Sequence, residues 1–129
     1  MIVVDSSVWI GHLRGVTTPQ VLKFRDLLGR EPLLLGDMVL LEILQGARDD
    51  SHAAGLETGL RRFRIVEMLD YRVAVSAARH YRVLRARGIT IRKTADLIIG
   101  AYCIEHGHVL LHDDRDFEPM REHLGLLVA

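Results

Sequence analysis

Three short runs limit what this chain can fold into: Ile2-Val3-Val4, Leu33-Leu34-Leu35 and Val109-Leu110-Leu111. Each is apolar without interruption. A strand with one face in water alternates apolar and polar residues, whereas an unbroken run is buried on both faces. Phe63-Arg64-Ile65-Val66 and Leu126-Leu127-Val128 add two further strand candidates. Helical segments separate all of them. Buried strands alternating with helices predict an α/β domain over residues 1–129 with a parallel sheet of four to five short strands. No internal repeat, low-complexity segment or linker divides the sequence.

The helix punctuation is clear in places. Asp5-Ser6-Ser7 precedes a short helix from Val8 to Leu13, with Ser6 or Ser7 as its cap. Thr18-Pro19 opens a second helix that stops at Gly29, since Pro suits the first helical position. Asp37 is expected to cap a helix running to about Ala47. Asp49-Asp50-Ser51 starts another, reaching Arg62. Asp70 caps a long helix closed by Gly88, with its arginines turned to solvent. Thr94 is expected to cap the next, which makes Asp96 its second residue, and Gly107 closes it.

The composition, 49% apolar and 26% charged, is that of a soluble globular protein. Cys103 is the only cysteine, which excludes an intrachain disulfide and suits a reducing cytoplasm. No long apolar run suggests a membrane span or a signal peptide. The net charge is zero but uneven. Residues 61–93 carry ten Arg/Lys against two acids, and residues 94–129 carry seven acids against Arg115 and Arg121. A basic block beside an acidic one suits a polyanionic substrate and a cation site.

The helix around Glu42 is apolar on almost its whole circumference, so it reads as buried. Burying an unpaired carboxylate costs several kcal/mol. Glu42 therefore requires either an arginine partner or a cation. Other carboxylates offer the second choice. Sites in parallel α/β sheets lie outside the carboxyl ends of the strands. Asp5 directly follows the first strand, Asp114 lies just past the fourth, and Asp96 sits in the first turn of a helix. Taken singly, each reads as well as a cap, a turn former or a solvated loop residue. Together with Glu42 they form a set that cannot all ionise at one place without a counter-charge. A divalent ion is the simplest one. All-oxygen ligands favour Mg²⁺ or Mn²⁺ over zinc.

Four segments then carry a family resemblance: Ile2-Val3-Val4-Asp5-Ser6-Ser7-Val8-Trp9-Ile10, Glu42-Ile43-Leu44-Gln45-Gly46, Thr94-Ala95-Asp96-Leu97-Ile98-Ile99-Gly100-Ala101 and Leu110-Leu111-His112-Asp113-Asp114-Arg115-Asp116-Phe117. In order and spacing they resemble the PIN-domain ribonucleases, and among these the VapC toxins of type II toxin–antitoxin modules. The resemblance implies a single three-layer PIN domain over residues 1–129, a short central parallel sheet surrounded by helices, that hydrolyses RNA phosphodiester bonds with Mg²⁺ or Mn²⁺, in tRNA or rRNA. It implies Asp5, Glu42, Asp96 and Asp114 as a catalytic acidic quartet, with Asp5, Asp96 and Asp114 on the metal. Ser7 and Asp116 are implied to support the site. Asp113, Asp114 and Asp116 lie so close together that the fourth acid is open among them, with Asp114 preferred. A VapB-type antitoxin, a homodimer and a toxin–antitoxin hetero-oligomer are implied partners.

Arg92, Lys93 and Arg115 are the candidates for contacting the RNA, since Arg/Lys contacts to phosphate supply most sequence-blind affinity. Arg115 is placed either to touch phosphate or to pair with Asp116. Two rival readings stand beside this one. A haloacid-dehalogenase-like phosphatase requires a second Asp two residues after the first, where this chain has Ser7. A non-catalytic PIN-like RNA- or partner-binding domain is expected to have lost one of the acids, and none of the four is missing.

Overall fold

The computed structural model describes residues 1–129. Five strands form one parallel sheet: β1 (Ile2–Val4), β2 (Leu33–Gly36), β3 (Arg64–Val66), β4 (Val109–Leu111) and β5 (Leu127–Val128). Their order is β3-β2-β1-β4-β5. The register pairs Val3 with Leu34 on one side and with Leu110 on the other. The unbroken apolar runs become the three central strands. Val3, Val4, Leu35, Leu110 and Leu111 have no solvent exposure, as expected of strands covered on both faces. Each such side chain contributes roughly 1.5–3 kcal/mol relative to exposure.

Seven helices surround the sheet: α1 (Ser6–Leu13), α2 (Pro19–Leu27), α3 (Asp37–Gln45), α4 (Asp50–Leu60), α5 (Tyr71–Ala86), α6 (Thr94–His106) and α7 (Glu118–Leu124). A single 3₁₀ turn, Arg115–Phe117, precedes α7. Trp9 anchors the α1 side of the core, edge-on to Phe24 at 4.7 Å and to Phe63 at 5.0 Å between ring centroids. Two glycines permit close approaches. A Cβ at Gly36 would run into the buried Met68 side chain, and one at Gly100 into that of Met120. The second approach seats α7, and the turn before it, against α6.

Several local expectations are corrected. Asp37 is the first residue of α3 and not its cap. Gly36 takes the cap position with no side-chain bond, because Asp37 Oδ1 instead accepts the Met68 N–H at 3.1 Å. The helix α3 is not buried all round. Val39 and Ile43 face the core, Met38, Leu40 and Leu44 are half-buried, and Leu41 is 56% exposed. Of its apolar residues, Leu41 alone points outward into solvent. The first helix begins at Ser6, with Asp5 as its N-cap rather than either serine. Lys93 caps α6 without a side-chain bond, so Thr94 is helical and Asp96 is the third helical residue. The arginines of α5 are solvent-facing as expected, and Asp70 caps that helix through the Val73 N–H at 2.8 Å.

Candidate metal centre

The sheet order brings the site together. With β1 beside β4, the carboxyl ends of both strands open on one edge. The Asp5 N–H donates to Leu111 O at 2.9 Å and extends the ladder to the residue that carries the first acid. Asp5 is 2% exposed. Its Oδ2 accepts the Ser7 N–H at 3.0 Å and the Ser7 hydroxyl at 2.6 Å. Its Oδ1 is buried with no partner. As a helix cap Asp5 would need only Oδ2, so capping leaves the second oxygen unexplained.

Ser7 also reaches across the edge. Its Oγ accepts the Asp113 N–H at 3.0 Å. The following residues are tied in turn. The Asp114 N–H donates to His112 Nδ1 at 3.1 Å, and Asp114 Oδ1 accepts the Asp116 N–H at 2.9 Å. Asp114 Oδ2 faces Lys93 Nζ at 3.4 Å. These bonds hold the Asp114 carboxylate toward α6, where Asp96 projects from the first turn.

Asp96 is 3% exposed, and its Oδ2 is buried without a partner. One carboxylate oxygen from each of Asp96, Asp114 and Asp116 lies within 4.8 Å of the others. Burial raises the Asp96 carboxyl to about 7; the charges of Asp5 and Asp114 add to this, and Lys93 opposes it. Burial also raises Asp5, against the bonds from Ser7. Glu42 accepts the Ser6 hydroxyl at 3.1 Å and is raised by burial and then by the charge of Asp5. No arginine pairs with Glu42; the cation that acts on it is Lys93. The cost of Glu42 is smaller than a fully buried acid would bear, because it is only half-buried.

All four predicted acids thus act electrostatically on one another. Asp116 joins them, whereas Asp113 is exposed and contributes its backbone N–H. Lys93 contacts the cluster directly. Arg92 and Arg115 are exposed with no acidic partner, so Arg115 does not pair with Asp116. Sequence reasoning missed Ser6 as the partner of Glu42 and the bond that His112 accepts from the Asp114 backbone. The only signal for Ser6 was its place in Asp5-Ser6-Ser7.

The donor set suits a hard divalent ion. It is all oxygen, it is crowded with acids, and two of its buried oxygens have no hydrogen-bond partner. Such oxygens are tolerable where a cation meets them and costly otherwise.

A parallel α/β sheet with carboxylates clustered at the strand ends is an arrangement that could hold a divalent ion. Residues 2–122 match the family model of the PIN domain. The chain is 33% identical over 134 aligned positions to Ribonuclease VapC11 of Mycobacterium tuberculosis, covering 100% of this chain and 98% of the relative. The chain belongs to the PIN-domain family, and within it to the VapC proteins. The fold is shared with VapBC2 from Rickettsia felis bound to a DNA fragment from their promoter, at a TM-score of 0.79 and 15% identity, covering 100% of this chain and 98% of that one. It is shared also with a toxin–antitoxin complex from Klebsiella pneumoniae, at a TM-score of 0.71 and 14% identity, covering 98% and 96%.

Proposed function

We propose that this chain is the endoribonuclease toxin of a toxin–antitoxin module, acting with Mg²⁺ or Mn²⁺ on tRNA or rRNA. The observation that carries this reading is the pair of buried, unpartnered oxygens, Asp5 Oδ1 and Asp96 Oδ2, in one cluster with Glu42 and Asp114. Asp5, Asp96 and Asp114 would hold the ion. When bound, it supplies charge neutralisation at the phosphate and a water of lowered pKa. The chain's own residues do the rest. Ser7 aims Asp5 and anchors the Asp113 backbone. Ser6 holds Glu42, which would either join the ligands or orient the attacking water. Asp116 braces Asp114 through its N–H. Lys93 and Arg92 offer positive charge to the phosphates, and Arg115 is a further RNA contact. Attack by water yields a 3′-hydroxyl and a 5′-phosphate.

The partners follow from the relatives. The Klebsiella pneumoniae neighbour is a toxin–antitoxin complex, and the R. felis neighbour is a VapBC assembly on DNA. A VapB-type antitoxin, a homodimer and a mixed oligomer are the corresponding expectations here. A cytoplasmic location suits the free, buried Cys103. No helix is long and apolar enough to cross a membrane.

The test is to incubate the purified chain with total RNA in Mg²⁺, in Mn²⁺ and in EDTA, and to sequence the cut ends. Cleavage with either metal, lost in EDTA and lost in Asp5→Asn, is the expected result. Cleavage that persists in EDTA overturns the metal mechanism.

A further inference from the structure

We propose that a polar crevice beside Asp114 is a base-recognition subsite that takes a guanine of the RNA next to the bond to be cut. The proposal rests on the ribonuclease reading above. The crevice is lined by Gln20 of α2 and by His112, Asp113, Asp114, Arg115 and Glu118, with no apolar residue among them. Asp114 belongs both to this crevice and to the acid cluster. A nucleotide whose phosphate meets the cluster therefore has its neighbouring base within reach of the crevice.

The crevice holds unspent hydrogen-bonding groups of both kinds. His112 is 8% exposed. Its Nδ1 accepts the Asp114 N–H, which places the imidazole proton on Nε2. That Nε2 has no partner, and its nearest carboxylate oxygen is Glu118 Oε1 at 3.9 Å. A buried donor without an acceptor is destabilising unless a ligand supplies one. Glu118 Oε2 takes the Arg121 Nε–H at 2.8 Å, which leaves Oε1 free. Arg115 is exposed without an acidic partner, and Gln20 adds one acceptor and one donor group.

This mixture excludes a phosphate as the occupant. A phosphate presents acceptors only and would face the carboxylates of Asp113 and Glu118. A base presents donors and acceptors together. Guanine is the base that meets an arginine fork with O6 and N7 while offering N1–H and a 2-amino group to a carboxylate. Adenine and cytosine have no ring N–H on that edge. Uracil flanks its single N–H with two carbonyls, which a carboxylate repels.

The experiment uses a randomised single-stranded RNA pool in Mg²⁺, with the cut ends sequenced for the wild type, Glu118→Gln and Gln20→Ala. The wild type is expected to enrich guanine at one position beside the cut. Glu118→Gln is expected to lower the ratio of guanine to adenine there at least fivefold, and Gln20→Ala to lower it less. Enrichment of another base, no enrichment, or enrichment unchanged in Glu118→Gln overturns the proposal. A second measurement requires no cleavage. Guanosine and adenosine 5′-monophosphate share the phosphate and ribose and differ in the base. Guanosine monophosphate should shift the backbone NMR signals of residues 112–118 at lower concentration than adenosine monophosphate, and Glu118→Gln should abolish the difference. Equal titrations in the wild type overturn the subsite. A wild type that cuts no RNA but discriminates the two nucleotides overturns the ribonuclease reading and keeps the subsite.

Discussion

Ser7 Oγ stands 2.6 Å from Asp5 Oδ2 and decides which oxygen of that carboxylate is left open. The same hydroxyl accepts the Asp113 N–H, so one atom links the end of β1 to the segment after β4. Ser7→Ala should cost about 1.5–3 kcal/mol, the range for losing a hydrogen bond to a charged group. Groups that orient a metal ligand carry about 10–100-fold in affinity or activity. Cleavage and Mg²⁺ affinity should both fall within that range. Urea unfolding and cleavage rates across a Mg²⁺ series check this. Unchanged values in both would remove Ser7 from the site.

The raised Asp96 carboxyl fixes a direction for pH dependence. An unfolded Asp titrates near 3.9, whereas the folded one titrates at about 7. Between these values the folded chain holds a proton that the unfolded chain has released. Stability of the metal-free protein should therefore be fully present below about pH 4 as far as this group is concerned, fall as pH rises toward 7, and level off above it. Asp5 and Glu42 are raised too and act in the same sense. Asp96→Asn should flatten the slope, raise the melting temperature in EDTA at pH 8, and abolish cleavage. Thermal melts from pH 5 to 8 measure it. A melting temperature that climbs with pH in the wild type would contradict the crowding of acids.

Lys93 separates binding from stability. Its ion pair with Asp114 is exposed on the lysine side at 59%, so its removal should cost less than about 1 kcal/mol. Its charge should matter more to RNA. In the cleavage-dead Asp96→Asn background, Lys93→Ala should reduce the slope of log affinity against log salt by about 0.7, the value for one phosphate contact on a single strand. Fluorescence anisotropy at several salt concentrations reads the slope, and an unchanged slope would place Lys93 outside the RNA path.

What was legible in the sequence was whatever depended on strand ends and chain order. Unbroken runs such as Val109-Leu110-Leu111 are buried strands, and acids just past them gather on one edge. Asp5 and the acids after β4 could be brought to one edge on this ground, while the choice among Asp113, Asp114 and Asp116 stayed open. What was not legible depended on partners distant in sequence. Asp37 looks like a cap until Met68 supplies an N–H from beyond β3. Leu41 looks like core because periodicity cannot tell a buried helix from one with an exposed apolar residue. His112 carries no mark in the sequence of the bond that its Nδ1 makes to the Asp114 backbone. Asp5 proved to be a cap and a member of the acid cluster at once, two readings that the sequence sets against each other.

The sheet order has a consequence for when the chain becomes active. β1 has β2 on one side and β4 on the other, and the hydroxyl of Ser7 meets a backbone group 106 residues later. During synthesis, Asp5 and Glu42 leave the ribosome long before the acids that complete the cluster. A nascent chain lacking β4 has three of the five strands and lacks Asp114 and Asp116. On the proposed reading, cleavage is therefore withheld until the last strands dock, a delay that follows from the topology.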